Sequence, residues 1–392
     1  MTTSAASSDP GTADSIGAPA GSMPGRETAF DVAPTHAEAA SPDGSAAAEP
    51  ATADPTEPES RASFAAGEVD ADRRASEGSG EDEDPTPIPI AWYNLWEWAL
   101  KTGKAERRFH GKLHRRRRLT SKTLAAAIRP NLDRPIFVLG AARTGTTFLG
   151  DCLGYLPEVS YHHEPPATKA AGRYVYEGIW GFRRSRWFYR SVYAWLMRVD
   201  LEGHLRMCEK TPTNALLIPF LDEAFEGAQV VHIIRDGRDA AASHIRKAWL
   251  RADARGSGKR EPGGYLYGPW APWWVERGRR EEFETTSDVH RVIWAWRRYT
   301  EAALRDGPIL GPDRYIELRY ENLVSNPRAE GKRLVDFLGI RRPASQAALF
   351  EALERAEPGS VGSWRRSFDA DQLVEIEADS GDLLRKLGYT DS

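Results

Sequence analysis

Beyond residue 130 the apolar positions fall into short unbroken runs separated by longer amphipathic stretches. Residues 135–139 (Pro-Ile-Phe-Val-Leu) and 229–234 (Gln-Val-Val-His-Ile-Ile) are too short and too evenly apolar for surface helices. Such runs are the pattern of strands covered on both faces, as in a parallel sheet. A third strand is expected over 314–318. Helices are expected over 146–155, 214–226, 240–250, 288–305 and 331–338. Strands alternating with helices predict an α/β fold of three layers around a central parallel sheet. No apolar run approaches the roughly 20 residues that span a bilayer.

The first third of the chain reads differently. Residues 1–85 are rich in Ala, Ser, Pro and Gly, with Phe30 and Phe64 their only Phe, Trp or Tyr residues. They carry 18 acidic and 4 basic side chains, so the overall net charge of −4 conceals a remainder of +10. Such a stretch cannot bury enough apolar surface to offset chain entropy, and an acidic disordered tail is expected. Residues 86–130 form an aromatic and basic arm: Ile88–Leu100 is apolar, and Arg115-Arg116-Arg117-Arg118 follows. Residues 88–122 could form an amphipathic helix that touches acidic lipid, or pack on the body with the basic face in solvent. A basic run without a folded reading module gives no reason to expect nucleic acid. Residues 131–392 are expected to form the catalytic domain. Two cysteines, Cys152 and Cys208, suggest neither a disulfide framework nor a zinc ribbon. The start of the chain lacks the pattern of a signal peptide, so a cytoplasmic protein, with peripheral membrane contact through the arm, is expected.

Two motifs carry chemistry. Gly140-Ala141-Ala142-Arg143-Thr144-Gly145-Thr146-Thr147 has the G-x-x-x-x-G spacing of a phosphate loop between strand and helix. Loop N–H groups and the helix N-terminus converge there on an anion. The lysine of nucleotide triphosphatases is replaced by Thr146, and the cation lies inside the loop as Arg143. That argues against triphosphate hydrolysis. The second motif, His232-Ile233-Ile234-Arg235-Asp236-Gly237-Arg238-Asp239-Ala240-Ala241-Ala242-Ser243, leaves a strand at its carboxyl end. Ligands of open α/β sheets bind at that end. Arg235 and Ser243 could hold a second anion; an Asp-Gly turn with surface ion pairs is the plain alternative.

Together the motifs resemble those of sulfotransferases that use 3′-phosphoadenosine 5′-phosphosulfate (PAPS), in the style of tyrosylprotein, glycan and bacterial members. The resemblance covers residues 134–366. It implies a P-loop-like fold in which Ala142, Arg143, Thr144, Gly145, Thr146 and Thr147 hold the 5′-phosphosulfate, while Arg235 and Ser243 hold the 3′-phosphate. Cys208-Glu209-Lys210-Thr211-Pro212 resembles the family's lysine segment, which implies that Lys210 contacts the bridging oxygen of the donor. Arg319-Tyr320-Glu321-Asn322-Leu323 resembles a strand-end segment of mainly structural role. Gly359-Ser360-Val361-Gly362-Ser363-Trp364-Arg365 resembles the late glycine motif over the 3′-phosphate, which implies cofactor contacts from Gly362, Trp364 and Arg365. Glu357 and Pro358 stand where basic residues are usual.

Sulfuryl transfer to a hydroxyl acceptor needs a base and cations for the departing diphosphate. Glu164, in Tyr161-His162-His163-Glu164 and 21 residues after Arg143, matches the family's glutamate base. His162 and His163 are the alternatives. Arg143, Lys210 and Glu164 are the expected catalytic residues. The expected products are a sulfated acceptor and 3′,5′-adenosine diphosphate, with no metal. The aromatic loop 263–274 is expected either to close over the acceptor or to pack on the body, and the stretch 180–195 could line the same cleft. A P-loop kinase, or a non-catalytic nucleotide-binding protein on a membrane, remain the competing classes.

Overall fold

The computed structural model describes Asp84, residues 86–112 and residues 120–389, without the side chains of 104–112. Apart from Asp84, the expected acidic tail lies outside the described residues, as does the Arg115–Arg118 run.

Five strands form one all-parallel sheet: β1 (Ile136–Leu139), β2 (Val159–His163), β3 (Arg206–Lys210), β4 (Gln229–Ile234) and β5 (Tyr315–Arg319). Their spatial order is β2-β3-β1-β4-β5, with β1 central and buried along its length. The helices are, in chain order, α1 (Trp92–Lys112), α2 (Ser121–Ile128), α3 (Thr146–Gly154), α4 (Pro166–Tyr176), α5 (Phe182–Val199), α6 (Ile218–Ala224) and α7 (Gly237–His244). They continue with α8 (Arg280–Thr285), α9 (Asp288–Asp306), α10 (Tyr320–Ser325), α11 (Pro327–Leu338), α12 (Pro343–Leu353) and α13 (Ala370–Lys386).

Alternation along the strands divides the core into two layers. Phe137, Leu139, Val230 and Ile234 meet side chains of α1, α4, α5, α7 and α9 on one face. Ile136, Val138, Val231, Ile233 and Leu318 meet α3, α10, α11 and α12 on the other. The expected three-layer α/β architecture is thus present. Leu95 and Ala99 of α1 belong to the first layer. Just before α1, the Ile88 amide donates to Gly264 O at 3.1 Å, and the Ile90 amide to Tyr174 OH at 2.7 Å. No described helix is long and apolar enough to cross a membrane.

Several expectations about elements are corrected. The helix expected over 214–226 is a 3₁₀ turn, Pro212–Leu216, followed by the short α6. Pro219 has no N–H to continue a helix from the preceding turn, so it can only open a new one. The helix expected over 240–250 begins earlier, because Asp236 caps it by accepting from the Arg238 amide at 2.9 Å, and it ends at His244. Strands β2 and β3 lacked an apolar run: Ser160, His162, Glu209 and Lys210 are buried polar residues within them.

Candidate active site

The carboxyl ends of β1, β3 and β4 and the turn after β2 meet at one cleft. After β1 the chain turns sharply. A Cβ on Gly140 would lie 2.4 Å from Ile233 O, and one on Gly145 would lie 2.6 Å from Tyr320 Cδ2. Arg143 has φ +68°, a left-handed conformation costly for a residue with a Cβ. Gly145 precedes α3 without any side-chain cap, which leaves the first amides of that helix for another acceptor. Thr144 is buried and closes the loop by donating Oγ1 to Ala141 O at 2.8 Å.

The two sequence motifs meet directly. Arg143 Nε donates to Ser243 Oγ at 2.9 Å, and Arg235 Nη1 donates to Arg143 O at 3.2 Å. The Arg235 guanidinium lies 4.5 Å from the centre of the Tyr320 ring, and its Nη2 donates to Ser360 O. Its Nε is buried with no partner among the described residues. A charged donor with an orphaned N–H in a water-poor site favours an anionic acceptor. The resemblance assigned Arg143 and Ser243 to opposite ends of the nucleotide, whereas here their side chains touch, so the two anion subsites adjoin.

The late segment is held by Asp239, which accepts from the amides of Gly362 (2.7 Å) and Trp364 (3.0 Å) and from Ser363 Oγ (3.0 Å). Gly362 has φ +72°, and Trp364 is buried between the guanidinium groups of Arg238 and Arg365, at 4.1 and 4.4 Å. The Gly362 and Trp364 amides are therefore spent on Asp239. The segment approaches the cleft through Ser360, whose Oγ also meets Tyr320 OH at 2.9 Å.

A chain of polar contacts runs from the loop to the expected base. Lys210 is fully buried at the end of β3. Its Nζ donates to Thr147 Oγ1 at 2.9 Å and to Glu164 Oε1 at 2.5 Å, and lies 3.5 Å from His163 Nε2. Lys169 of α4 donates to Glu164 Oε2 at 2.6 Å. Glu164 itself has φ +40°, and its amide extends the β2–β3 ladder to Lys210 O at 2.9 Å. Burial alone would raise its pKa, but the ammonium groups of Lys169 and Lys210 outweigh burial and hold it well below the usual carboxylate range. Burial, with Lys210 beside it, pushes His163 down to about 4. His162 points to the opposite sheet face, 3.1 Å from Ser160 Oγ. Neither histidine has Glu164's pair of ammonium partners.

Lys169, Asp239 and Ser360 were missed by the sequence reading. Lys169 lies in the first turn of α4, in Pro-Ala-Thr-Lys-Ala-Ala, five residues after Glu164, with no motif around it. Of the two readings of loop 263–274, packing on the body is the one found: Tyr265, Trp273 and Trp274 are core residues. Tyr267 and Trp270 are half-buried, and the Tyr267 hydroxyl lies within electrostatic reach of Lys169, Glu261 and Glu164. The stretch 180–195 forms most of α5, and its Phe188, Tyr189 and Tyr193 are buried in the core; they do not line the cleft.

A strained phosphate loop without the Walker lysine, joined to a second arginine site at the neighbouring strand end, defines an anion-binding α/β protein of the P-loop-like kind. The chain belongs to the sulfotransferase family, whose model matches residues 135–344. It is 25% identical over 202 residues to carbohydrate sulfotransferase 7 of Mus musculus, covering 44% of this chain and 42% of that one. It is 25% identical over 155 residues to omega-hydroxy-beta-dihydromenaquinone-9 sulfotransferase Stf3 of Mycobacterium tuberculosis, covering 38% and 33%. The chain thus matches less than half the length of these relatives. Among solved structures, sulfotransferase STF9 of Mycobacterium avium aligns with a TM-score of 0.38 at 15% identity, over 76% of this chain and 87% of that one.

Proposed function

We propose that this protein transfers a sulfuryl group from PAPS to a hydroxyl acceptor. The observation that carries the reading is the buried Lys210, which joins Thr147 of the phosphate loop to Glu164. An anion-binding loop and an ionised carboxylate thereby share one cation at the place where donor and acceptor would meet.

The residues fit the donor. Arg143, the α3 amides and Arg235 with its unpartnered Nε supply positive groups for phosphates at two points of one nucleotide. The donor supplies the sulfuryl group: a new bond forms from acceptor oxygen to sulfur, and the bond from sulfur to the phosphate oxygen breaks. Glu164 takes the proton of the acceptor hydroxyl. Lys210 and Arg143 offset the charge that develops on the departing 3′,5′-adenosine diphosphate. Any anion seated in the loop competes with Glu164 for Lys210, and this competition raises the proton affinity of Glu164 when it is needed.

The acceptor is a hydroxyl compound. The names of the two relatives above point to carbohydrate and to a hydroxylated quinone as acceptor classes. Calorimetric titration with 3′,5′-adenosine diphosphate tests the reading. Wild type should bind it, and Arg143→Ala and Arg235→Ala should each weaken binding by about 1.5–3 kcal/mol, as expected for hydrogen bonds to a charged group. Tight binding of magnesium ATP with no binding of the diphosphate would return the chain to the kinase class.

A further inference from the structure

The aromatic and basic helix α5, excluded from the cleft, has a surface of its own. It carries five arginines and no acidic residue over 18 positions. Trp187 is 55% exposed, although its ring stacks on Trp92 of α1 at 5.9 Å with the planes 15° apart. Ile179 and Phe182 are exposed on the turn leading into the helix. Arg184 lies over Trp92 at 4.9 Å and over Trp180 at 4.6 Å, and Arg183 beside it is exposed. Single exposed apolar residues need no explanation, but a half-exposed tryptophan joined to α1 by ring contacts, on a helix with five arginines and no acid, does.

Topology sets where this patch faces. Helix α5 ends at Val199 and leads into Arg206, the first residue of β3, so it runs antiparallel to the strand. Its N-terminal half therefore lies toward the carboxyl edge of the sheet, the end that carries the cleft. Helix α4 begins two residues after Glu164, spans 11 residues, and hands over to α5 through 177–181. At 1.5 Å per residue, α4 alone covers about 16 Å of the path from Glu164 to this face.

We propose that the α1–α5 face docks on an anionic membrane surface, with Trp187 and Ile179 entering the headgroup region and Arg183 and Arg184 meeting lipid phosphates. Rings with arginines between them suit that boundary, where an apolar body and a charge are both accommodated. A nucleic-acid groove would need basic side chains tracking a backbone with bases stacked in sequence, whereas here the rings stack on one another within the protein. Docking this way turns the cleft toward the lipid and favours an acceptor that resides there. Only this last consequence rests on the sulfuryl-transfer reading.

Flotation of the full chain tests the contact, using phosphatidylcholine vesicles with and without phosphatidylglycerol. The protein should float with the anionic vesicles and release as salt rises. Arg183→Glu should weaken that binding roughly twentyfold, since each charge near an anionic surface changes partitioning about fivefold. Trp187→Ser should weaken it roughly tenfold through the lost ring. Both variants should keep the wild-type affinity for 3′,5′-adenosine diphosphate; Arg183→Glu should also keep the melting temperature, whereas Trp187→Ser should lower it modestly through the lost stacking on Trp92. That titration reports on the nucleotide site, so failure of the donor reading and failure of docking are told apart. The proposal is overturned if wild type does not float, if both variants float like wild type, or if flotation is lost only when Arg115–Arg118 are replaced by glutamate. Capture of duplex DNA in place of vesicles would overturn it too.

Discussion

Glu164 sits between two ammonium groups, and that placement dictates its behaviour. Its depressed pKa means that the ion pair contributes stability above the carboxyl's unfolded value, near 4.5, and loses it only as pH falls through the lower native value. The carboxylate should therefore remain ionised through mildly acid conditions. Glu164→Gln should lower kcat by about 10²–10⁴-fold, the range for a lost general base, while nucleotide affinity holds. His163→Asn should keep most of the turnover, and the reverse pattern would transfer the role to the histidine. Lys169→Met removes one of the two cations, so the acid limb of the pH–rate profile should move upward. Glu209 behaves oppositely: burial pushes it up to about 8, despite hydrogen bonds from Thr211 Oγ1 and Asn214 Nδ2. With the native value above the unfolded one, its stabilising contribution is complete below pH 4.5 and drains away as pH rises toward 8. Melting temperatures followed across that window should fall in wild type and fall less in Glu209→Gln. At this scale Glu164 and Lys210 were legible because each stands in a recognisable local string. Lys169 was not, because what makes it matter is a fold that returns α4 beside the turn after β2.

Among elements, the phosphate loop is the most constrained. Gly145 combines φ +95° with a Cβ position already filled by the Tyr320 ring. Gly145→Ala should therefore cost about 1–3 kcal/mol of stability through backbone strain, and also displace Arg235, which lies on the other ring contact of Tyr320. Thermal melting and the nucleotide titration would record the two effects separately. The central strands β1 and β4 were visible as apolar runs because both their faces are covered. Strands β2 and β3 were hidden because their buried positions carry Ser160, His162, Glu209 and Lys210, residues placed for hydrogen bonding. Helix α5 misled in another way. Its buried Ser185, Phe188, Tyr189, Val192 and Leu196 recur at the three- and four-residue spacing of a helix packed on a core. The abundance of aromatic and basic residues drew attention from that period to the cleft.

At the level of the whole molecule, one parallel sheet gathers side chains from residues 143 to 360 onto a single edge. On the proposed reaction, Arg143, Arg235 and Lys210 are the cations that would offset the departing diphosphate. Turnover with labelled PAPS should therefore be unchanged by a chelator, and a collapse would assign the charge to a metal ion. The grip of Asp239 on the Gly362–Trp364 turn has a consequence for where the protein can be shortened. The family match stops at residue 344, yet Asp239, Arg235 and Tyr320 all find partners between Ser360 and Trp364. A chain ended at that limit would strand a buried carboxylate and a buried guanidinium in the middle of the fold. Those two charges tie the fold to a segment some twenty residues past the limit of the family match, and the buried Leu383, Leu384 and Leu387 carry the core further still.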